Sequence, residues 1–345
     1  MERGMQVDVI YTDYSKAFDR IDHALLLDKL LSVGIRGDLF RWFTSYIKNR
    51  TQAVVLGNYE SKWLVVPSGV PQGSLLGPLL FIIFVLDIDR CFLNSSVLCF
   101  ADDMKVFRSV ASNDDAIALQ EDLSRLDEYC ELNKLDLNVS KCVTVTFTRK
   151  PRPTLYEYSL KNTILKRVDE IKDLGVLHDS KLLFKQHIEF ITAKAMKALG
   201  FIIRSSIDFK NAKTLKILYC SYVRSNLEYA SPVWNPMYAV YISSLERIQK
   251  KFLRHLNYRF NIPKEDYDSA CRRHHILPLS NRREIADLVF LFKIANSTID
   301  SPQLLQKRYT SSRKNVASQH DIRLTTIRRY ELSSELIHLE DLQSI

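Results

Sequence analysis

The spacing of apolar residues changes about halfway along the chain, and this change limits the fold more than any other feature. The first half has short β-rich runs, such as Val7 to Thr12, which alternate with helix-like stretches such as Ile21 to Val33. From Ile188 onward, apolar residues instead recur every three or four positions, as they do along one face of a helix. This order predicts an α+β fold followed by an all-α bundle.

Further elements follow from the same patterns. Helix-like stretches are Phe40 to Ile47, Gln72 to Leu86 (an apolar run that predicts a buried helix) and Asp114 to Leu132. Strand-like runs are Gln52 to Leu56, Lys62 to Val66, Val97 to Phe100, Lys105 to Phe107, Val143 to Phe147 and Ile171 to Val176. Three apolar stripes predict three helices in the second half: Ile188, Ile191, Ala195, Leu199 and Ile202; Leu215, Leu218 and Tyr222; Leu245, Ile248 and Phe252. Pro232 and Pro236 separate the second of these helices from the third.

Composition excludes several other classes of protein. Only 9 Gly and 10 Pro occur among 345 residues, too few for collagen-like, linker-rich or low-complexity chains. The longest uncharged apolar run, Leu75 to Leu86, is shorter than the roughly 20 residues of a membrane span. The six cysteines never form a CxxC pair, which predicts reduced, buried thiols in an intracellular protein. The alternative is a zinc site at Cys271, His274 and His275, but the two further ligands at finger spacing are absent.

Positive charge is concentrated in one segment. Residues 191–260 hold twelve Lys or Arg and three Asp or Glu, a surplus of nine that equals the formal charge of the whole chain. Such a surplus among amphipathic helices indicates a polyanionic partner, and nucleic acid is the obvious one. A solvated basic face is the simpler alternative. Binding to a membrane surface is a third, but these helices lack the Trp- and Phe-rich apolar face that it requires.

Acidic residues stand at two strand ends that one sheet can bring together. Asp13 follows a β-rich run, and Asp102 with Asp103 forms the tip of a predicted hairpin 89 residues later. Carboxylates on neighbouring strands repel unless cations neutralise them, and Mg²⁺ prefers oxygen ligands. Two such ions about 3.5–4 Å apart can activate a 3′-hydroxyl and stabilise a pyrophosphate leaving group. The alternative is that these acids are ordinary turn residues, because turns favour Asp.

Four segments resemble the motifs of one enzyme family. They read Ile10-Tyr11-Thr12-Asp13-Tyr14-Ser15-Lys16-Ala17-Phe18-Asp19, Ser68-Gly69-Val70-Pro71-Gln72-Gly73-Ser74, Phe100-Ala101-Asp102-Asp103 and Leu137-Asn138-Val139-Ser140-Lys141. In that order and spacing they resemble motifs A, B, C and D of reverse transcriptases, most closely those of non-LTR (LINE-type, jockey-like) retrotransposons. Asp173 to Val176 resembles the primer-grip hairpin of that family, and the resemblance covers roughly residues 5–290.

The resemblance implies a right-hand polymerase architecture. Residues 1–180 would form the palm, with a mixed or antiparallel sheet, motifs A to D, the primer-grip-like hairpin and a partial fingers insertion at residues 35–66. Residues 181–295 would form a basic, helical, thumb-like region, and residues 296–345 a tail of unknown role. The family's fingers normally precede motif A, so the chain is expected to be truncated on its N-terminal side.

The resemblance also implies roles at the reacting centre. Asp13, Asp102 and the backbone carbonyl of Tyr14 would be metal ligands, and Asp103 would support catalysis. Lys141 would protonate or neutralise the leaving pyrophosphate, although a surface lysine after a turn is the alternative. Phe18 would select deoxynucleotides by filling the space of a 2′-hydroxyl; its alternative is a core aromatic. By contrast, Asp19, Asp22 and His23 are interpreted as a helix cap and helix-start charges.

Other residues would contact the substrates. Nucleotide or template contacts would come from Gly69, Pro71, Gln72 and Gly73. Contacts to nucleic acid would come from Gly175, Lys194, Lys197, Arg204, Lys213, Lys216, Lys250, Lys251 and Arg254. One position departs from the family pattern, because Phe100 stands where the family commonly has Tyr; Phe keeps the hydrophobic packing role.

The activity implied is RNA-directed DNA synthesis. Deoxynucleoside triphosphates would be added to a DNA 3′ end on an RNA template, with two Mg²⁺ ions or with Mn²⁺ in their place. The fingers and endonuclease regions would belong to the same polypeptide, which would act away from membranes, in a nuclear or cytoplasmic ribonucleoprotein. The alternative is an inactive, truncated remnant that still binds RNA or an RNA–DNA duplex.

Overall fold

A computed structural model describes residues 5–301 and Leu304. The described residues fall into two compact units, one ending at Leu182 and the other beginning at Leu183. In this part of the chain, no helix is both long and apolar enough to cross a membrane. The first unit mixes strands and helices and the second contains helices, which confirms the predicted α+β class followed by an all-α bundle.

A five-stranded mixed sheet organises the first unit. Its strands are Gln6–Thr12 (β1), Ser96–Phe100 (β6), Asp103–Ser109 (β7), Val143–Thr148 (β8) and Lys166–Arg167 (β11), in the spatial order β11-β8-β1-β7-β6. The apolar strand β1 lies in the middle and pairs antiparallel with both β7 and β8, whereas β11 runs parallel to β8. This pairing joins the β-rich run that precedes Asp13 to the hairpin that carries Asp102 and Asp103.

The remaining strands form two-stranded pairs. They are Thr51–Gln52 (β2) with Leu64–Val65 (β5), Val55–Leu56 (β3) with Tyr59–Glu60 (β4), Ser159–Leu160 (β9) with Thr163–Ile164 (β10), and Glu170–Asp173 (β12) with Val176–Asp179 (β13). The run from Ile171 to Val176 is therefore two strands and not one, because Leu174 and Gly175 both have positive φ and turn the chain back. The run predicted at Gln52–Leu56 is likewise divided between β2 and β3, whereas the run predicted at Lys62–Val66 is shortened to β5.

Four helices belong to the first unit: His23–Ser32 (α1), Gly37–Ile47 (α2), Leu76–Phe84 (α3) and Asn113–Leu132 (α4), with 3-10 turns at Ala17–Asp19 and Ile88–Cys91. Asp22 caps α1 by accepting the amides of Ala24 and Leu25, as its interpretation as a cap predicted. Ser112 and Asp115 form a capping box at the start of α4. The helices bury their apolar faces against the sheet in a continuous core.

The predicted buried helix Gln72–Leu86 is shorter and less buried than expected. Helix α3 begins at Leu76, and only one of its faces is buried in the core, through Leu80, Phe81 and Phe84. Its other face leaves large apolar side chains exposed within the described residues; they are Leu75, Leu79, Ile82 and Leu86. Periodicity could not show this, because both faces of the run are apolar.

Between Leu183 and residue 301 the second unit has seven α-helices: Lys185–Ser205 (α5), Ala212–Tyr219 (α6), Ser225–Glu228 (α7), Ser231–Trp234 (α8), Ala239–Arg259 (α9), Tyr267–His274 (α10) and Leu279–Ala295 (α11). All five apolar residues predicted for the first stripe are buried on α5, and all three predicted for the third are buried on α9. Pro232 and Pro236 lie between α6 and α9 and so separate the second predicted helix from the third, as expected. Pro232 itself occupies the first turn of the short helix α8, where its missing amide is tolerated.

The second stripe is partly wrong. Leu215 is buried, but Tyr222 is 63% exposed and Val223 is buried in its place. The buried face runs instead through Leu215, Tyr219 and Val223, so beyond Leu215 each position of the predicted stripe lies one residue too early. A π-helical turn at Cys220–Arg224 follows α6 directly.

Candidate active site

The register of the sheet brings the predicted acidic residues to one end of its strands. Thr12, the last residue of β1, pairs with Met104 of β7, so Asp13 and Asp103 extend this antiparallel pair by one position. Asp102 lies in the two-residue turn between β6 and β7, which Phe100 and Asp103 close as a pair. Ala101 makes that turn possible with a φ of 53°. Three carboxylates from distant parts of the sequence therefore lie at the same end of the sheet.

Burial and the carboxylates at this end of the sheet shift the pKa of Asp103. Burial raises the pKa of the Asp103 carboxyl, and the neighbouring Asp102 raises it further. The charges of Asp173 and Asp13 act in the same direction, whereas Lys105 opposes them. This is the pattern expected of carboxylates that share a site without a compensating cation.

One carboxylate oxygen at this end of the sheet accepts no hydrogen bond. Asp13 Oδ2 is buried and accepts no hydrogen bond. Lys141 Nζ lies 3.2 Å from it, an ion-pair distance, but not in hydrogen-bond geometry. The structure thus brings the motif D lysine to the motif A aspartate, and the lysine side chain stays 65% exposed.

The oxygen atoms at this end of the sheet are suitable ligands for a hard divalent cation. Tyr14 forms an isolated bridge with Leu137, but the adjacent hydrogen bonds use the Ser15 amide and the Asp13 carbonyl, not the carbonyl of Tyr14. The donors are all oxygen, as Mg²⁺ and Mn²⁺ prefer. In the described part of the chain no three His, Cys, Asp or Glu side chains already converge as a metal cluster. The Asp13 oxygen, which is buried, accepts no hydrogen bond and already lies beside the Lys141 ammonium, is the observation that fits a cation here.

Phe18 and Gly69 lie in two segments that are joined by backbone hydrogen bonds. The Val70 amide donates to the Phe18 carbonyl at 2.9 Å, and the Gly69 amide donates to the Ile21 carbonyl at 2.8 Å. The half-buried Phe18 ring packs against Phe81 of α3, with ring centres 5.0 Å apart. The position of the predicted sugar-selecting ring is therefore set by motif B.

Gly69 is required where these segments meet. Its φ is +85°, and a Cβ placed there would lie 2.7 Å from both the Cα and the carbonyl oxygen of Asp19. Gln72 also reaches this point, because its Nε2 donates to Asp19 Oδ1 at 2.7 Å. Asp19, interpreted from the sequence as a helix-start charge, therefore positions the exposed Gln72. Gly73 has a φ of +78° but open space around it, and the Pro71 carbonyl accepts from Ser74 Oγ at 2.7 Å.

The hairpin β12–β13, which contains Gly175, is fastened to β7 by an ion pair. Lys105 Nζ lies 2.5 Å from Asp173 Oδ1, and the two side chains are only about 15% exposed. Lys105 also stands 5.9 Å from the centre of the Tyr11 ring. Sequence reasoning missed this pair. The signal was a single lysine inside the apolar run that follows Asp102 and Asp103.

Removal of one partner of this ion pair should be costly. Lys105→Met would leave the Asp173 carboxylate nearly buried and unpaired, so we expect a loss of about 2–3 kcal/mol in the free energy of unfolding. The double variant Lys105→Met/Asp173→Leu should regain most of that loss, because no charge is left stranded. Urea denaturation measures both. The control is Lys185→Met, whose exposed pair with Glu189 should contribute less than about 1 kcal/mol; equal losses in the single and double variants would contradict the expectation.

The predicted nucleic-acid contacts of the second unit divide into two groups. Six of them are exposed on α5, α6 and α9: Lys194, Lys197, Arg204, Lys213, Lys251 and Arg254. Two are engaged in packing, because Lys216 Nζ donates to the His274 carbonyl at 3.1 Å and Lys250 lies 4.9 Å from the centre of the Tyr267 ring. The exposed six are better placed to meet a polyanion.

Two of the three residues of the alternative zinc site, Cys271 and His274, make other contacts. Cys271 Sγ accepts from Gln249 Nε2 at 3.8 Å, and His274 Nε2 lies 2.7 Å from Asn257 Oδ1. All six cysteines are free thiols, as predicted, but only Cys130, Cys142 and Cys271 are buried. The prediction of buried thiols is wrong for Cys99, which is exposed, and for the partly exposed Cys91 and Cys220.

Comparisons with known proteins agree with the motif resemblance. A family profile described as reverse transcriptase (RNA-dependent DNA polymerase) matches residues 4–203. A probable RNA-directed DNA polymerase from transposon X-element of Drosophila melanogaster is 30% identical, covering 71% of this chain and 28% of its own length. An RNA-directed DNA polymerase from mobile element jockey of Drosophila funebris is 28% identical, covering 74% of this chain and 29% of its own length. The chain thus spans less than a third of these relatives.

Solved structures of telomerases also match. One from Candida tropicalis has 13% identity and a TM-score of 0.38, covering 80% of this chain and 47% of its own. One from Candida albicans, in complex with a fragment of telomeric RNA, has 13% identity and a TM-score of 0.36, covering 81% and 46%.

Proposed function

We propose that this chain, which belongs to the reverse transcriptase (RNA-dependent DNA polymerase) family, adds deoxynucleoside triphosphates to a DNA 3′ end on an RNA template. The observation that carries the proposal is the meeting of Asp13, Asp102 and Asp103 at one end of the sheet, with a buried oxygen on Asp13 that accepts no hydrogen bond. The names of the Drosophila relatives, RNA-directed DNA polymerases of mobile elements, support the choice of template and product.

The carboxylates of Asp13 and Asp102, with the Tyr14 carbonyl, would hold two Mg²⁺ ions, or Mn²⁺. Bound ions of this kind activate the 3′-hydroxyl and stabilise the departing pyrophosphate. Asp103 lies beside both ligands and adds negative charge that favours cation binding. Lys141 would leave its contact with Asp13 and contact the departing pyrophosphate instead. There it would donate a proton to the pyrophosphate or neutralise part of its negative charge.

Motif B would orient the incoming nucleotide. Gly69 lets motif B pack closely on the backbone of Phe18 and Asp19, and Asp19 holds the exposed Gln72 in the segment that leads to α3. The Phe18 ring would clash with the 2′-hydroxyl of a ribonucleotide, because its packing against Phe81 prevents the ring from moving aside.

The role of Phe18 can be tested by sugar preference. Phe18→Val should raise the incorporation of ribonucleotides relative to deoxynucleotides by about tenfold or more, because it removes a clash worth at least about 1.4 kcal/mol. The ratio of kcat/KM for the two sugars is the measurement. Phe40→Val, which shortens an aromatic packed on the same core, is the control and should leave the ratio unchanged. An unaltered ratio in Phe18→Val would make Phe18 a core residue only.

The exposed cations of the second unit would bind duplex by its phosphates. Because these contacts release counterions, log K should fall linearly with log salt, and Arg254→Gln should reduce the slope by about 1. Lys216→Met should lower stability but leave the slope unchanged, since Lys216 holds the end of α10. Fluorescence anisotropy with an RNA–DNA duplex over a salt series is the measurement. A flat salt dependence would contradict the assignment.

Primer extension tests the activity itself. The chain alone, and the chain preceded by the corresponding N-terminal segment of a jockey-type relative, are supplied with an RNA template, a DNA primer and Mg²⁺. DNA synthesis by either would support the proposal. The remnant hypothesis predicts duplex binding without synthesis in both. In either case we place the chain in an intracellular ribonucleoprotein, nuclear or cytoplasmic, whose fingers and endonuclease segments belong to the same polypeptide.

A further inference from the structure

A cavity of about 550 Å³ opens at the C-terminal end of α9. Its lining combines aromatic rings with cations and an amide: Phe209, Lys210, Tyr258, Arg259, Phe260 and Asn261. No acidic side chain belongs to this lining. The loop after α5 forms one wall, held there by a hydrogen bond from Arg259 Nη2 to the Phe209 carbonyl at 3.3 Å.

The cavity continues the basic surface of α5 and α9. Lys251 Nζ of α9 lies 3.6 Å from Met196 Sδ of α5. Eight residues further along α9, Arg259 contacts Phe209 in the loop after α5, so α9 stays beside the α5 segment as far as the cavity. Exposed cations occupy the outer faces on the way, among them Lys197, Arg204 and Arg254. A strand whose phosphates follow these cations would arrive at the cavity.

The side chains in the cavity suit a base and its phosphate. The Tyr258 ring is 84% exposed and Phe209 is 40% exposed, a large apolar exposure for aromatic residues beside so many charges. Bases of single strands stack on aromatic rings of this kind, whatever their sequence. Lys210 and Arg259 can pair with the adjacent phosphate and offset the negative end of the α9 dipole.

We propose that this cavity binds one unpaired nucleotide of a nucleic-acid strand that flanks the duplex, with the base stacked on Tyr258 or Phe209. The inference rests on the proposed function, because it takes the basic surface to be the duplex-binding face. It extends that function by a single-strand site, which would hold template or primer where pairing ends.

Binding of matched oligonucleotides tests the site. An RNA–DNA duplex with a short unpaired extension is compared with the same duplex with blunt ends, by anisotropy without Mg²⁺ or nucleotides. The extended duplex should bind at least about fivefold more tightly, the lower end of what one stacked base contributes. Tyr258→Ala should remove most of that difference and leave blunt-duplex affinity unchanged, whereas Tyr258→Phe should keep it. Phe209→Ala provides a second aromatic substitution.

Tyr222→Ala is the matched control, because Tyr222 is 63% exposed in the same unit but does not line the cavity. Three results would overturn the site: equal affinity for extended and blunt duplexes, equal weakening of both by Tyr258→Ala, or displacement of the extension by free AMP at equal nucleotide concentration. The measurements are repeated with Asp102→Asn, which separates this site from catalysis. If blunt duplex does not bind at all, the proposed duplex-binding face is wrong. Binding of single-stranded RNA that is lost in Tyr258→Ala would still support the nucleotide site in the cavity.

Discussion

The Asp102→Asn variant should extend primers about a thousandfold or more slowly than the unchanged chain. Asn keeps the shape of Asp102 but removes half of the acidic ligand charge proposed for the cations. Metal-ion stabilisation of a transition state amounts to several kcal/mol, and each 1.4 kcal/mol is a factor of ten in rate. Single-turnover extension, with the chain joined to the N-terminal segment of a relative if needed, measures the loss.

Folding and nucleic-acid binding should survive this change. Asp102 lies in a turn and faces other carboxylates, so its neutral replacement removes repulsion; the Tm without divalent cations should be equal or higher. Asp114→Asn, which alters an exposed acid in the first turn of α4, is the control and should extend primers at the unchanged rate. An Asp102→Asn variant as fast as this control would refute the metal assignment.

The Gly69→Ala variant should lose about 2–5 kcal/mol of unfolding free energy. A left-handed φ costs Ala about 1–2 kcal/mol, and a Cβ only 2.7 Å from the backbone of Asp19 adds an overpacking cost of about 1–3 kcal/mol. Backbone atoms cannot rotate aside, so the two segments must separate. We therefore expect sugar selection by Phe18 to weaken as well. Urea denaturation and the ratio of kcat/KM for the two sugars measure these effects.

Gly73→Ala is the control for this variant. Gly73 has a similar φ of +78°, but its Cβ would meet nothing within 4 Å. Only the conformational cost of about 1–2 kcal/mol should remain. Equal losses at the two positions would show that the contact between motifs A and B contributes nothing.

Local patterns predicted the order of the elements and the position of the acids. Asp13 after a β-rich run, and Asp102 in a short hairpin, each follow from strand periodicity and turn chemistry. The buried stripe of α5 follows from helical spacing. Each of these features is decided by residues within a few positions of one another.

Features that depend on distant partners could not be predicted in this way. The pairing of Lys105 with Asp173 requires the fold, since 68 residues separate the two in sequence. The packing role of Lys216 depends on α10, and spacing alone made it equal to its exposed neighbours. The exposure of Tyr222 reflects a buried face that runs through Leu215, Tyr219 and Val223, and three-and-four spacing does not distinguish this face from the predicted one.

The position of each strand in the sheet gives the two halves of the site different local stabilities. β1, which leads to Asp13, has a hydrogen-bonded neighbour on both sides, whereas β6, which leads to Asp102, is an edge strand with one. Amide protons of β1 should exchange with solvent only on near-global unfolding, while those of β6 exchange through cheaper local opening. The proposed metal site therefore joins a carboxylate on a rigid strand to one on a strand that opens more easily, so the hairpin that carries Asp102 should open locally while the central strand keeps its register.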